Sequence, residues 1–180
     1  IWRKIDGLTW GWFGYKEDKP EAHRLNEELV AQDNADAIER KVTGFIKGIY
    51  GYPQNLTALR EFNEIHVAKM NPKAIERKIK GFILGEFGYE KNLEGLRSLI
   101  ESLVAQKDPE TIEKKVTGLL EGQYGYAQDL VALREFNEIL VGQNDPKAIA
   151  RNIEGRAKGE YGYPKDPEFL TTYAKLLTEE

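Results

Sequence analysis

Histidine, carboxylate and cationic side chains are the groups with chemistry to offer in this sequence, and their placement decides which chemistry that is. There are 2 histidines and no cysteine, so thiolate nucleophiles, disulfides and Cys-type metal sites are excluded. His23 and His66 stand in different registers of an internal 37-residue repeat. His66 occupies the register held by Leu103 and Leu140 in later copies, and so reads as a histidine at the edge of a core, not as a base or ligand. No His-Glu-x-x-His pair, phosphate loop or calcium loop occurs. Carboxylates are plentiful, 30 in all, and their spacing follows the repeat, as Glu27, Glu64, Glu101 and Glu138 do. Catalysis needs one distinctive site, whereas an array supplies equivalent ones. The sequence therefore predicts no enzyme, no catalytic residue, no metal site and no cofactor.

The cations form columns instead. Arg3, Arg40, Arg77, Lys114 and Arg151 share one register, and Lys4, Lys41, Lys78 and Lys115 share the next. Glu27, Glu64, Glu101 and Glu138 make an acidic column, and Arg60, Arg97 and Arg134 a second basic one. Stacked at the ~10 Å of packed helices, the first column would form a basic stripe for an acidic peptide or the acidic surface of a folded partner. The alternative is a solvated face whose ion pairs are worth about 0–1 kcal/mol each. Trp2, Trp10 and Trp12 break the pattern. Trp2 stands in the register of Glu39, Glu76 and Glu113, Trp10 in that of Lys47 and Glu121, and Trp12 in that of Glu86, Gln123 and Glu160. Aromatic residues in polar registers point to a first repeat that is covered, by preceding chain, by a partner or by a local cap. Arg3, Arg40, Arg77, Lys114, Arg151, Trp2, Trp10 and Trp12 are thus the candidate partner-binding residues.

These columns exist because the pattern Gly-x-aromatic-Gly-Tyr begins at Gly11, Gly48, Gly85, Gly122 and Gly159, each 37 residues after the last. Residues 34–70 match 108–144 at 21 of 37 positions and 71–107 at 19. A strict period of this length marks a repeat array. Each unit reads as two helices. The first spans about Asp36 to Tyr50, with Ile38, Val42, Phe45 and Ile49 on one stripe. Asn71-Pro72, Asp108-Pro109 and Asp145-Pro146 set an N-cap before a first-turn proline. The second glycine of the motif (Gly51, Gly88, Gly125) is expected to stop the helix in a left-handed conformation. Gly44 and Gly48, with their counterparts, then lie inside it, where each would cost about 1 kcal/mol unless offset by close approach of a neighbouring helix or, alternatively, of a partner's backbone docked in a groove. The second helix carries Leu56, Leu59, Phe62 and Val67. Neither helix hides its stripe alone. The expected fold is all-α, a right-handed α–α solenoid of five two-helix repeats (approximately 1–33, 34–70, 71–107, 108–144 and 145–180) forming one domain over 1–180.

Segments 159–166 (GEYGYPKD) and 122–129 (GQYGYAQD), with Phe136 and Tyr173 as aromatics after the aspartate, resemble the Sel-one-like repeats, a branch of the tetratricopeptide-type helical repeats. The turn differs from that family's Gly-x-Gly-Val, and the second helix carries Ile, Leu and Val where the family prefers Ala-Ala. The resemblance implies a scaffold for protein–protein contacts and no chemistry of its own.

With 26 basic against 30 acidic side chains and a net charge of −4, nucleic acid is a poor candidate partner. No apolar run approaches the ~20 residues of a membrane span, and a cytoplasmic location is expected. Ile1 aligns with Ile38, already inside a first helix, and Glu180 falls within a second one. The chain therefore reads as part of a longer protein. The expected function is a protein-interaction scaffold whose repeated first helices form a groove, as the recognition module of a larger, bacterial effector-like protein. The alternatives are an architectural spacer and a helical nucleic-acid reader.

Overall fold

The computed structural model describes residues 1–169 and 171, all in helices, turns and irregular connections, with no strand among them. Tyr173, and most of the second helix expected in the last repeat, lie outside the described residues. Nine helices have both ends among the described residues, α1 (Trp2–Trp10), α2 (Lys19–Val30), α3 (Ala35–Lys47), α4 (Leu56–Ala68), α5 (Pro72–Leu84), α6 (Leu93–Ala105), α7 (Pro109–Glu121), α8 (Leu130–Gly142) and α9 (Pro146–Lys158), and residues 167–169 and 171 are helical as well. The chain divides into two compact units, Ile1–Lys91 and Asn92–Glu180, with the boundary in the loop between the helices of the third repeat. Within the first unit α1 packs on α2, α2 on α3, α3 on α4 and α4 on α5. Within the second, α6 packs on α7, α7 on α8 and α8 on α9.

Helix starts follow the local chemistry. Asn71, Asp108 and Asp145 each accept a hydrogen bond from the backbone three residues on, at 3.1, 2.9 and 2.8 Å. Asn55 and Asn92 do the same for α4 and α6, at 3.0 and 2.8 Å. Such caps are worth about 1 kcal/mol each.

Helix ends depart from the sequence-based expectation. The first glycine of the motif stops the helix: Gly48, Gly85, Gly122 and Gly159 are left-handed C-caps, so none of them lies inside a helix. The second glycine serves a different need. Gly88 has φ +79°, and a Cβ there would collide with the backbone carbonyl of Leu56, the first residue of α4. Gly51, Gly125 and Gly162 meet the backbone of Lys19, Leu93 and Leu130 in the same way. This turn is where one repeat seats on the helix before it. Gly44, which does lie in a helix, leaves room for the ring of Tyr52: an added Cβ would sit 2.5 Å from that ring. The close neighbour is a tyrosine of its own repeat, not another helix.

Among the described residues, small clusters of buried side chains join neighbouring helices within each unit. Ile5, Leu8, Ala22, Leu25, Leu29 and Ala37 join α1, α2 and α3. Ile38, Val42, Leu59 and Phe62 join α3 and α4. In the second unit, Val116, Leu119 and Leu133 join α7 and α8, and Ile112, Leu140 and Ala148 continue to α9. His66 lies in α4 at 4% exposure against Phe62, ring centroids 4.6 Å apart. Burial pushes its imidazole below the ordinary histidine value, and Lys69 adds to this. It is a core-edge residue.

Candidate protein-binding surface

Mid-helix asparagines organise the polar contacts between repeats. Asn26 donates from Nδ2 to the Ala37 carbonyl at 3.0 Å and to the Tyr52 hydroxyl at 2.9 Å. Asn63 and Asn137 repeat both bonds with Ala74 and Tyr89, and with Ala148 and Tyr163, at 2.9 and 3.0 Å. All three asparagines are fully buried. The motif tyrosine donates in turn to the acidic column. Tyr52, Tyr89 and Tyr126 reach Glu27, Glu64 and Glu101 at 2.6, 2.7 and 2.7 Å. Lys41, Lys78 and Lys115 hold the second oxygen of the same carboxylates at 2.9, 2.7 and 2.7 Å. Burial, then the adjacent carboxylate, push these tyrosine hydroxyls well above their usual range, so each stays a donor. Burial alone would raise Glu27 and Glu101, but the bonds from lysine and tyrosine outweigh it and hold both carboxyls below the ordinary value.

The arginine column belongs to this network and does not lie open to solvent as a stripe. Arg77 donates from Nε to Asn63 at 2.8 Å and from Nη1 to both oxygens of Glu39 at 3.1 and 3.0 Å. Arg151 repeats this with Asn137 at 2.9 Å and Glu113 at 3.1 and 2.9 Å. Their side chains are only 11% and 10% exposed. Lys114 follows the one helix among α2, α4, α6 and α8 in which an isoleucine, Ile100, replaces the asparagine, and it pairs within its own helix with Glu110. A guanidinium is used where an amide oxygen can receive it, and an ammonium where none is present. Arg40 is intermediate. Trp2 occupies the glutamate register, so the Arg40 guanidinium stacks 4.3 Å over the Trp2 ring and reaches Asp6 at 3.5 Å. Nη1 of Arg40 and Oδ1 of Asn26 are buried without a hydrogen-bond partner.

The first repeat is the exception. Arg3 is exposed and makes no ion pair among the described residues. Lys4 reaches only Glu21, at 3.9 Å. Tyr15 is 40% exposed, whereas Tyr52, Tyr89 and Tyr163 are 3–6%. Phe13 is 61% exposed, whereas its counterparts Tyr50, Phe87 and Tyr161 pack on core clusters that include residues of the preceding second helix. A Cβ on Gly14 would meet nothing within 4 Å. Trp12, 57% exposed, lies 6.0 Å from Trp10 and 6.4 Å from Phe13, ring centre to ring centre, and Trp10 lies 6.2 Å from Tyr50. Trp2 is packed against the first core cluster. The structure thus brings Trp10, Trp12, Phe13 and Tyr15 onto one turn, with Arg3 and Lys4 on the adjoining helix. It turns Trp2, Arg40, Arg77, Lys114 and Arg151 to internal contacts.

Phe13, Tyr15 and the asparagine column were not singled out from the sequence. A signal for the asparagines was present: the only copy among α2, α4, α6 and α8 that lacks one is followed by Lys114 in place of arginine. The second basic column has its own setting. Arg97 lines a cleft of about 500 Å³ with Leu93 and Tyr124, and Arg134 one of about 700 Å³ with Leu130 and Tyr161.

Among the described residues no group of histidine and carboxylate side chains is placed to hold a metal ion. None of their helices is long and apolar enough to cross a membrane. No protein-family model, curated protein or solved structure matches the chain.

Proposed function

We propose that the chain is a protein-interaction scaffold, a right-handed α–α solenoid of five repeats whose first repeat presents the binding face. The observation that carries this reading is the exposed run Phe13, Gly14 and Tyr15, whose counterparts in later repeats are buried or half-buried, beside an exposed Trp12 where later repeats carry Glu86, Gln123 and Glu160. Clustered aromatic side chains with adjacent cations are the composition of binding hot spots. Recurrence of the same bonds within each compact unit, at the same sequence separations, supports the tandem-repeat reading. The resemblance to Sel-one-like repeats agrees with a scaffold role. The basic column is a weaker candidate for the contact, because Arg77 and Arg151 already satisfy buried partners, and charge reversal there would test folding before binding.

Affinity capture with the intact chain, run beside a Trp12→Ala/Phe13→Ala variant of equal helicity, tests this reading. Both side chains are more than half exposed, so the variant is expected to keep its fold and to lose at least about tenfold of the captured protein, as hot-spot truncation does. Equal capture by parent and variant would remove this face from the function. The spacer reading, which draws on the same stiffening network, would then be favoured if neither chain captured anything.

A further inference from the structure

We propose that the clefts at Arg97 and Arg134 are equivalent subsites for an acidic peptide segment of a protein partner. Each takes an apolar side chain between its leucine and its tyrosine, and a carboxylate on its arginine. These clefts share no residue with the first-repeat turn, and the inference does not rest on the reading of that turn.

Leu93 and Arg97 stand four residues apart, as do Leu130 and Arg134, so each pair shares one face of its helix. The turn of the following repeat seats on the start of that helix, Gly125 at the Leu93 carbonyl and Gly162 at that of Leu130. This seating brings Tyr124 and Tyr161 into the clefts. Both tyrosines hold a left-handed backbone, φ +54° and +53°, and their counterpart Phe87 does so at +55°. That region disfavours a bulky side chain, yet every copy of the motif keeps an aromatic there, from Phe13 and Tyr50 onward. Strain retained at one position in every copy points to a use for the ring, and in these clefts the rings stay half-buried.

The other two groups are also left open. Leu56, Leu93 and Leu130 are 45%, 55% and 42% exposed, and theirs is the only register of α4, α6 and α8 in which every copy exposes a large apolar side chain. Of the arginines in the second unit, Arg151 and Arg156 form ion pairs. Arg97 and Arg134 make neither an ion pair nor a hydrogen bond among the described residues. Each cleft does carry one carboxylate, Glu94 beside Arg97 and Glu160 beside Arg134. These stand in different registers, Glu94 in that of Thr57 and Val131, and Glu160 in that of Glu86 and Gln123. What recurs is leucine, arginine and aromatic ring, a cation and an apolar slot without an acceptor of their own. A carboxylate supplied from outside matches the guanidinium in charge and in geometry. The Arg97 cleft has described helices before and after it in the chain, so its opening does not depend on where the chain begins or ends. In α2 the same registers hold Lys19 and His23, so the subsite belongs to the later repeats.

The probe is a phage-displayed library of random peptides, selected at low ionic strength on the full chain. Parallel selections use Arg97→Gln/Arg134→Gln, Leu93→Ser/Leu130→Ser and Trp12→Ala/Phe13→Ala, each checked for parental helicity by circular dichroism. The parent and the Trp12→Ala/Phe13→Ala chain are expected to enrich sequences that set Asp or Glu within a few positions of a large apolar residue. Both cleft variants are expected to lose that enrichment. The leucine variant keeps the arginines, so it reads the apolar slot separately from the charge. An enriched peptide, synthesised and labelled, should bind Arg97→Gln/Arg134→Gln at least about tenfold more weakly than the parent by anisotropy. Its affinity for the parent should fall as salt is raised. No enrichment on the parent, enriched sequences without an acidic residue, or equal enrichment on Arg97→Gln/Arg134→Gln would overturn the proposal. Enrichment lost only in Trp12→Ala/Phe13→Ala would overturn these clefts as well and leave the first-repeat turn as the peptide-binding face.

Discussion

Gly88→Val is expected to lower the stability of the first unit by about 3–5 kcal/mol. A left-handed φ of +79° costs a β-branched residue about 1–3 kcal/mol. Overpacking against a backbone carbonyl that cannot rotate away adds about 1–3 kcal/mol. The matched control is Gly14→Val, with φ +80° and no atom within 4 Å of its added Cβ, which should show the backbone strain alone. Urea denaturation followed by circular dichroism reads the difference. Equal losses at the two positions would mean that the second glycine serves only the turn, and that the seating of one repeat on the helix before it is not close-packed.

Asn63→Leu is expected to cost about 3–5 kcal/mol, the range for breaking one partner of a buried charged contact. The change removes donors to Ala74 and Tyr89 and leaves the Nε of Arg77, whose side chain is 11% exposed, without its acceptor. Arg77→Lys in the same chain should recover at least about 1 kcal/mol, because a flexible ammonium can be drawn to a surface carboxylate. The sequence already contains the equivalent aliphatic–lysine pair as Ile100 and Lys114, with Lys114 turned to Glu110. A double-mutant cycle measures the coupling. If the two losses simply add, Asn63 and Arg77 do not act together, and the Ile100–Lys114 combination has no explanation in this structure.

What the sequence revealed and what it hid follow from the range of each interaction. The caps at Asn71, Asp108 and Asp145 are local properties and appear where composition put them, and residues 1–144 fold as successive pairs of helices. The first helix ends three residues earlier than its spacing predicts, because both motif glycines adopt positive φ and only contact with the previous helix tells them apart. The arginine column looked like an exposed stripe because its partners lie 14 and 38 residues away, at Asn63 and Glu39 for Arg77. Periodicity shows that such residues share a register. It does not show that the adjacent register supplies their counter-charge. The tryptophans were legible as anomalies, and Trp10 and Trp12 are exposed, but Trp2 is drawn into contact with Arg40 by the absence of a glutamate in its own position.

Photo-crosslinking from inside the turn puts the binding face to the most direct test. A photoreactive phenylalanine analogue is placed at Phe13 in one preparation and at its counterpart Tyr124 in another, and both are irradiated in the presence of the captured protein. Crosslinks from position 13 and none from position 124 are expected, because Phe13 is 61% exposed beside Trp12. Crosslinks from position 124 alone, or equally from both, would contradict a partner seated on the first repeat.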